Sequence, residues 1–172
     1  LNILEAIDLR SMRLNSTDYI HTVAEAYKLA LADRDTYYGD PKFASVPAAR
    51  LLSKEYAAER RKLIDGKASI EFRPGQVDGR PARHPSESES ARVRLDEWLV
   101  SRDTTCVNAM DKDGIMFSAT PSGASLPTIV AGATGIAISN RAQSFYLVPG
   151  HPNELAPGKR PRITLSPTMA LR

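Results

Sequence analysis

The sequence predicts an α+β fold in which helices come first and strands last. Three observations carry this reading. Apolar residues recur with helical spacing over residues 1 to about 65. The stretch from about 66 to 90 is dominated by Pro, Gly, Ser and charge, with little apolar content. From Thr104 onward, short runs of β-forming residues alternate with turn residues.

In the first zone, Asn15-Ser16 precede a run in which Ile20, Val23, Ala24, Tyr27, Ala30 and Leu31 follow i, i+3, i+4, i+7 spacing. They are the expected buried face. Ser16 is the expected N-cap, and Asp18 suits the positive end of the helix dipole. Gly39 and Pro41 close the segment. A second helix is expected from about Lys54 to Ile64, capped by Ser53 and stopped by Asp65-Gly66, with Tyr56, Ala57, Leu63 and Ile64 on its buried face.

The second zone, with RPGQVDGRPARHPSESES at its heart, reads as a flexible tether. A short amphipathic piece bearing Val93, Leu95, Trp98 and Leu99 follows it. In the third zone, TTCVNAMD and IMFSATPS read as strands joined by Lys112-Asp113-Gly114, and TGIAISN and RITLSPTMAL as later strands. The chain thus divides into residues 1–103 and residues 104–172. Leu1 and Arg172 both fall beside structured-looking runs, so the 172 residues are expected to be a piece of a longer protein.

Net charge is +3, with basic and acidic residues interleaved as on a solvated helix face. Aromatic residues make up 6% and do not alternate with the basic ones, which argues against a nucleic-acid surface. No run reaches the roughly 18 apolar residues that a spanning helix needs. A single cysteine, Cys106, excludes a disulfide within this chain and a cysteine metal cluster. His21, His84 and His151 lie far apart without ligand spacing, and each reads as a surface or packing residue. No metal or cofactor is expected. Cys106, in a strand-like run, reads as a buried structural thiol.

Asp103-Thr104-Thr105 stands at the junction of tether and first strand. A threonine hydroxyl becomes a competent nucleophile when its own α-amino group serves as base, which requires cleavage of the preceding peptide bond. That amine titrates near 7.7–8.0, suited to base work near neutral pH. Two β-formers opening a strand would look the same, so spacing alone leaves both readings open.

Several ordered stretches resemble the γ-glutamyltranspeptidase family over nearly the whole chain. AEAYKLALADRDTYYGDPKF and VPAARLLSKEYAAERRKLI resemble the late part of that family's large subunit. DTTCVNAMDKDG resembles the start of its small subunit, and TGIAISNRAQSF, GHPNELAPGKRPR and LSPTMALR continue it in order. The resemblance implies a four-layer αββα N-terminal-nucleophile hydrolase sandwich, of which this chain is a part. It implies Thr104 as nucleophile, released by self-cleavage at Asp103-Thr104, with the two fragments of one precursor staying partners. The implied substrate is a γ-glutamyl or related acyl amide, and the acceptor is water or an amine.

Departures from the family pattern accompany the resemblance. The family's Thr-x-Thr-x-Asn support for the nucleophile falls on Thr120-Pro121-Ser122-Gly123-Ala124, which keeps hydroxyls at Thr120 and Ser122 and loses the amide at Ala124. Its acidic pair for the substrate amine falls on Gln143-Ser144, and its serine pair for the α-carboxylate on Ile163-Thr164. Those four are the implied substrate-binding residues. The resemblance places an arginine and a glycine-rich oxyanion loop outside residues 1–172, so this piece alone is expected to be inactive. A catalytically silent relative kept for binding or assembly is the alternative. The resemblance is compatible with a periplasmic or secreted setting, but the sequence itself assigns no compartment. Among the bland readings, Gly39-Asp40-Pro41 is a turn, Asp33-Arg34 a helix-end ion pair, and Pro157 to Pro161 a shaped loop with a basic pair.

Overall fold

A computed structural model describes residues 1–80, 106–120, 129–139 and 141–163. Helix α1 spans Thr17–Tyr37 and begins where the capping chemistry places it: the Ser16 hydroxyl accepts from the Tyr19 amide, with Asp18 in the first turn. A single turn, α2 (Ala48–Leu51), leads into α3 (Lys54–Arg61), whose N-cap Ser53 accepts from the Tyr56 amide.

The buried face of α1 differs from the expected one. Thr22, Glu25, Ala26, Leu29, Ala32, Asp33, Thr36 and Tyr37 are buried, whereas Ile20 and Tyr27 are 55% and 65% exposed. The stripe keeps helical periodicity, but half of it is polar. Its charged members are paired: Glu25 with Arg73 (2.7 Å), Lys28 and the Ser69 amide, and Asp33 with Arg60 Nε (3.1 Å) and the Gly75 amide (2.7 Å). Thr36 donates to the Ala32 carbonyl at 2.9 Å. Counting apolar residues cannot find such a face, because a paired polar side chain is buried at little penalty. For the same reason Asp33 pairs with Arg60 of α3, so the expected Asp33-Arg34 ion pair is not formed; Arg34 faces Asp35 at 3.8 Å.

On α3, Tyr56 and Ala57 are buried as expected, while Leu63 is 40% exposed beyond the helix end and Arg60 takes the third buried place. The small core gathers Tyr37, Tyr56 and Val77, flanked by Tyr38 and Leu51. Val77 corrects the tether reading for residues 66–80. It is 1% exposed, and the Tyr37 hydroxyl donates to the Gly75 carbonyl at 2.6 Å. A Cβ on Gly75 would lie 2.1 Å from the Tyr56 hydroxyl oxygen, so close docking requires glycine. Backbone hydrogen bonds, one glycine and one valine thus dock a stretch whose composition reads as linker. Residues 81–105, with His84 and the Val93–Leu99 piece, lie outside the described residues.

Strands β1 (Val107–Met110) and β2 (Met116–Ala119) form an antiparallel hairpin with Val107 opposite Ala119 and Met110 opposite Met116. The turn falls where Lys112-Asp113-Gly114 predicts it. Asp111 Oδ1 accepts the Asp113 and Ile115 amides at 2.9 Å, and Gly114 takes the positive φ of 83°. Over its described residues, 134–139, TGIAISN forms no regular strand. It closes a tight loop through the Val130–Ala137 bridge, turned by Gly132 and Gly135 at φ of 54° and 70°. Of RITLSPTMAL, Arg162 and Ile163 are irregular and residues from Thr164 onward lie outside the described residues.

Candidate active site

The region expected to hold substrate is built on the C-terminal end of α1. Gly39 follows the helix and meets the carbonyl of Pro152, and a Cβ there would lie 2.0 Å from that oxygen. The next residue, Asp40, is 4% exposed and fixes the Pro157–Pro161 loop. Its Oδ2 accepts Arg160 N (3.0 Å) and Nε (3.3 Å), and its Oδ1 accepts Arg160 Nη2 (3.2 Å) and the Lys42 amide (3.1 Å). These donors hold the Asp40 carboxyl well below the usual carboxylate range. Arg160 therefore serves structure, and Lys159 lies over the Phe43 ring at 5.7 Å.

His151, Asn153 and Arg162 complete the joint. His151 is 2% exposed. Its Nδ1 accepts the Asn153 amide at 3.0 Å, which leaves the proton on Nε2 to donate to the Asp35 carbonyl at 2.9 Å. Burial pushes its pKa down, so it is held neutral. The Arg162 guanidinium reaches Asp35 (2.8 Å), the Arg34 carbonyl (3.2 Å) and the Tyr146 hydroxyl (3.1 Å). Arg34 donates in turn to the Ile163 carbonyl, and its pKa is lowered by burial and by Arg162 beside it.

The expected substrate residues divide as follows. Gln143 and Ser144 lie on a 3-10 turn (Arg141–Ser144), and the Ser144 carbonyl accepts from Asn153 Nδ2 at 2.6 Å. Ile163 lines an open cleft of about 810 Å³ with Arg34, Tyr38, Asp40, Leu51 and Arg160. The Arg162 amide, one residue before Ile163, donates to Asn153 Oδ1 at 3.0 Å. One asparagine thus ties the segment bearing Gln143-Ser144 to the segment bearing Ile163. Thr164 lies outside the described residues.

At the other end, Asp103, Thr104 and Ser122 also lie outside the described residues. Thr120 follows β2, and its Oγ1 stands 3.6 Å from Cys106 Sγ, which precedes β1. Cys106 is exposed, contrary to the buried thiol expected; the hairpin strand beside it, Val107–Met110, is exposed throughout. Sequence reasoning missed Asp35, Asp40, Asn153 and Arg162. For Asp40, Asn153 and Arg162 the available signal was a setting among Gly and Pro, in GDP, GHPN and PGKRPR, where a polar side chain is positioned by a stiff backbone; Asp35, inside α1, carried none. Among the described residues no three His, Cys, Asp or Glu side chains are placed to hold a metal ion, and no helix is long and apolar enough to cross a membrane.

The profile of the gamma-glutamyltranspeptidase family matches residues 1–172. Among curated proteins, the acylase ACY 1 proenzyme of Pseudomonas sp. (strain SE83) is 37% identical over 174 residues, covering 100% of this chain and 28% of that protein. The glutathione hydrolase proenzyme of Escherichia coli (strain K12) is 35% identical over 187 residues, covering 100% and 29%. Among solved structures, a cephalosporin acylase from Bacillus halodurans superposes with a TM-score of 0.66 at 31% identity, covering 95% of this chain and 26% of that one. The chain therefore spans under a third of the length of the relatives it matches. With the family profile matched from end to end, the chain belongs to the γ-glutamyltranspeptidase family.

Proposed function

We propose that the full-length protein is a self-cleaving amidohydrolase or acyltransferase in which Thr104 is the nucleophile. Family membership over the whole chain carries this reading, together with relatives that are proenzymes of both glutathione hydrolase and acylase type. The hairpin supports it: the Thr120 hydroxyl, expected to support the nucleophile, stands 3.6 Å from Cys106 Sγ, two residues along the chain from Thr104. The remainder of the protein would complete the four-layer αββα sandwich around this part.

In the precursor, Thr104 Oγ attacks the Asp103 carbonyl and the Asp103–Thr104 amide shifts to an ester. That shift breaks the C–N bond and frees the Thr104 amine, and water then hydrolyses the ester to release the Asp103 carboxylate and restore the Thr104 hydroxyl. In turnover, the same Oγ attacks the substrate amide carbonyl and the C–N bond breaks. The amine leaves with a proton, and water or an acceptor amine releases the acyl group. Residues 1–172 alone are proposed to be inactive, because loss of even one oxyanion donor costs about 100- to 1000-fold.

Specificity is proposed to shift away from free γ-glutamyl groups. A γ-glutamyl head carries a cationic amine and an anionic carboxylate, and each needs compensation for lost hydration. Charge-assisted hydrogen bonds do this about twice as well as neutral ones. Gln143 and Ser144 supply neutral acceptors, Ile163 supplies no side-chain hydrogen bond, and Thr164 supplies a single hydroxyl. Losing one charged contact, at about 1.5–3 kcal/mol, weakens binding roughly ten- to a hundredfold. Glutaryl amides should therefore compete well with γ-glutamyl amides, and Ser144→Asp should move preference back toward γ-glutamyl.

Intact mass and kcat/KM on the full-length protein test both parts. Two chains, the second beginning Thr104-Thr105-Cys106, and a single uncut inactive chain in Thr104→Ala are expected. Cleavage persisting in Thr104→Ala would move the nucleophile elsewhere. A strong γ-glutamyl over glutaryl preference in the unmutated enzyme would overturn the specificity reading.

A further inference from the structure

We propose that Asn153 is a positioning residue that sets the spacing of the two head-group segments and so tunes which acyl group the enzyme accepts. The inference rests on the proposed function, since it takes Gln143-Ser144 and Ile163-Thr164 as the head-group elements.

The geometry is specific to an asparagine. Asn153 is 0% exposed. Its Nδ2 donates to the Ser144 carbonyl at 2.6 Å, and its Oδ1 accepts the Arg162 amide at 3.0 Å. Its own amide donates to His151 Nδ1 at 3.0 Å, and its carbonyl accepts the Tyr146 amide at 3.0 Å. The side chain therefore spends one donor and one acceptor on two backbone groups from different segments. Both partners are main-chain atoms, so no side-chain change at 144 or 162 can stand in for the bridge.

The surroundings make this a rigid gauge. Tyr146 N and O both bond the 153–155 backbone, and His151 packs edge-on against the Tyr146 ring at 4.6 Å. Arg162 lies over that ring, 5.3 Å from its centroid, and is held by Asp35. With these contacts fixed, the separation of the Ser144 carbonyl and the Arg162 amide equals the span of one carboxamide. A carboxylate in its place presents an acceptor to the Ser144 carbonyl, and the two oxygens repel. A protonated carboxyl restores a donor and an acceptor in nearly the same outline.

The test uses Asn153→Asp in the full-length, self-cleaved enzyme. The readout is the ratio of kcat/KM for a glutaryl anilide to that for a γ-glutamyl anilide, taken at pH 8 and pH 5 and divided by the wild-type ratio at each pH. Misfolded or inactive molecules cancel in this ratio, so a merely structural role does not move it. Displacing one segment against the other should shift the normalised ratio about tenfold at pH 8, within the range that sub-ångström misplacement commonly produces. The shift should fall back toward one at pH 5 as the buried carboxyl takes up its proton, because burial raises carboxyl pKa values. Asn153→Ser, which fits the same space and can bridge only one partner, should show the shift at both pH values. It carries the test if the Asp variant does not accumulate. An unchanged ratio in either variant, with wild type active on at least one anilide, overturns the positioning role and leaves the proposed function standing. Wild type inactive on both anilides overturns the functional reading itself.

Discussion

At the scale of single residues, close packing and charge decide positions that a sequence pattern treats as ordinary turns. Gly39 is one of these. Its missing Cβ would sit 2.0 Å from the Pro152 carbonyl oxygen and 2.6 Å from the carbon, both backbone atoms that cannot swing aside. Gly39→Ala should destabilise the full-length protein by about 1–3 kcal/mol, the usual cost of forcing a methyl into filled space. Gly66→Ala meets nothing within 4 Å and should stay within about 0.5 kcal/mol. Urea-unfolding midpoints compare the two; equal midpoints would refute the argument from contact. In the sequence, GDP reads as a turn, which is correct as far as it goes. That the turn is also an anchor depends on Pro152 and Arg160, far along the chain, and local patterns carry no information about such partners.

At the scale of elements, α1 and α3 were legible through their caps, and the buried face was legible on α3 at Tyr56 and Ala57 but not on α1. Ser16 and Ser53 mark the starts of α1 and α3, because an orphan amide needs an acceptor whatever the tertiary context. The face of α1 went to Thr22, Glu25, Asp33 and Thr36 among others; Arg60, Arg73 and the 69–75 backbone supply the partners of Glu25 and Asp33. The hairpin was legible for a local reason too: its turn residues and its strands adjoin. The docking of residues 66–80 was not, because it depends on Tyr37 and Tyr56 receiving Gly75 and Val77. The polar face has a measurable consequence. Asp33 and Arg60 side chains are 9% and 5% exposed, so Arg60→Met strands a buried carboxylate. That should cost about 3–5 kcal/mol. The Arg50–Glu59 pair, bidentate but with side chains 35% and 55% exposed, should lose no more than about 1 kcal/mol in Arg50→Met. Denaturant midpoints on the full-length protein read both; similar losses would mean that the Asp33–Arg60 pair is not truly desolvated.

At the scale of the molecule, the part before Asp103 and the part after Thr104 are joined by titratable groups. Asp40 holds Arg160, Asp35 holds Arg162 and receives His151, and Lys159 stands nearby as a further positive charge. Among these groups His151 is the one whose ordinary pKa lies nearest neutrality. Its folded pKa is lowered by burial, an effect that outweighs its hydrogen bond to the Asp35 carbonyl. The unfolded chain therefore binds a proton near pH 6.5 that the folded chain refuses. Stability is full above that pH and falls as pH drops from about 6.5 toward the folded value. Asp40 acts in the same direction at lower pH. Its folded pKa is depressed by the Arg160 and Lys42 donors, so its contribution is present above about pH 4 and lost as pH falls through the depressed value. Glu25 adds to this lower window, because its bonds to Lys28, Ser69 and Arg73 outweigh the upward push of burial. Two acid steps are thus expected in the thermal midpoint of the full-length protein, one beginning near pH 6.5 and one below about pH 4. His151→Gln keeps a side-chain donor for Asp35 and carries no titrating proton. It should lower the midpoint at pH 7.5, through the lost Nδ1 acceptor and ring packing, yet flatten the curve between pH 7 and pH 5. A curve in His151→Gln as steep as wild type over that interval would assign the upper step to histidines elsewhere in the protein.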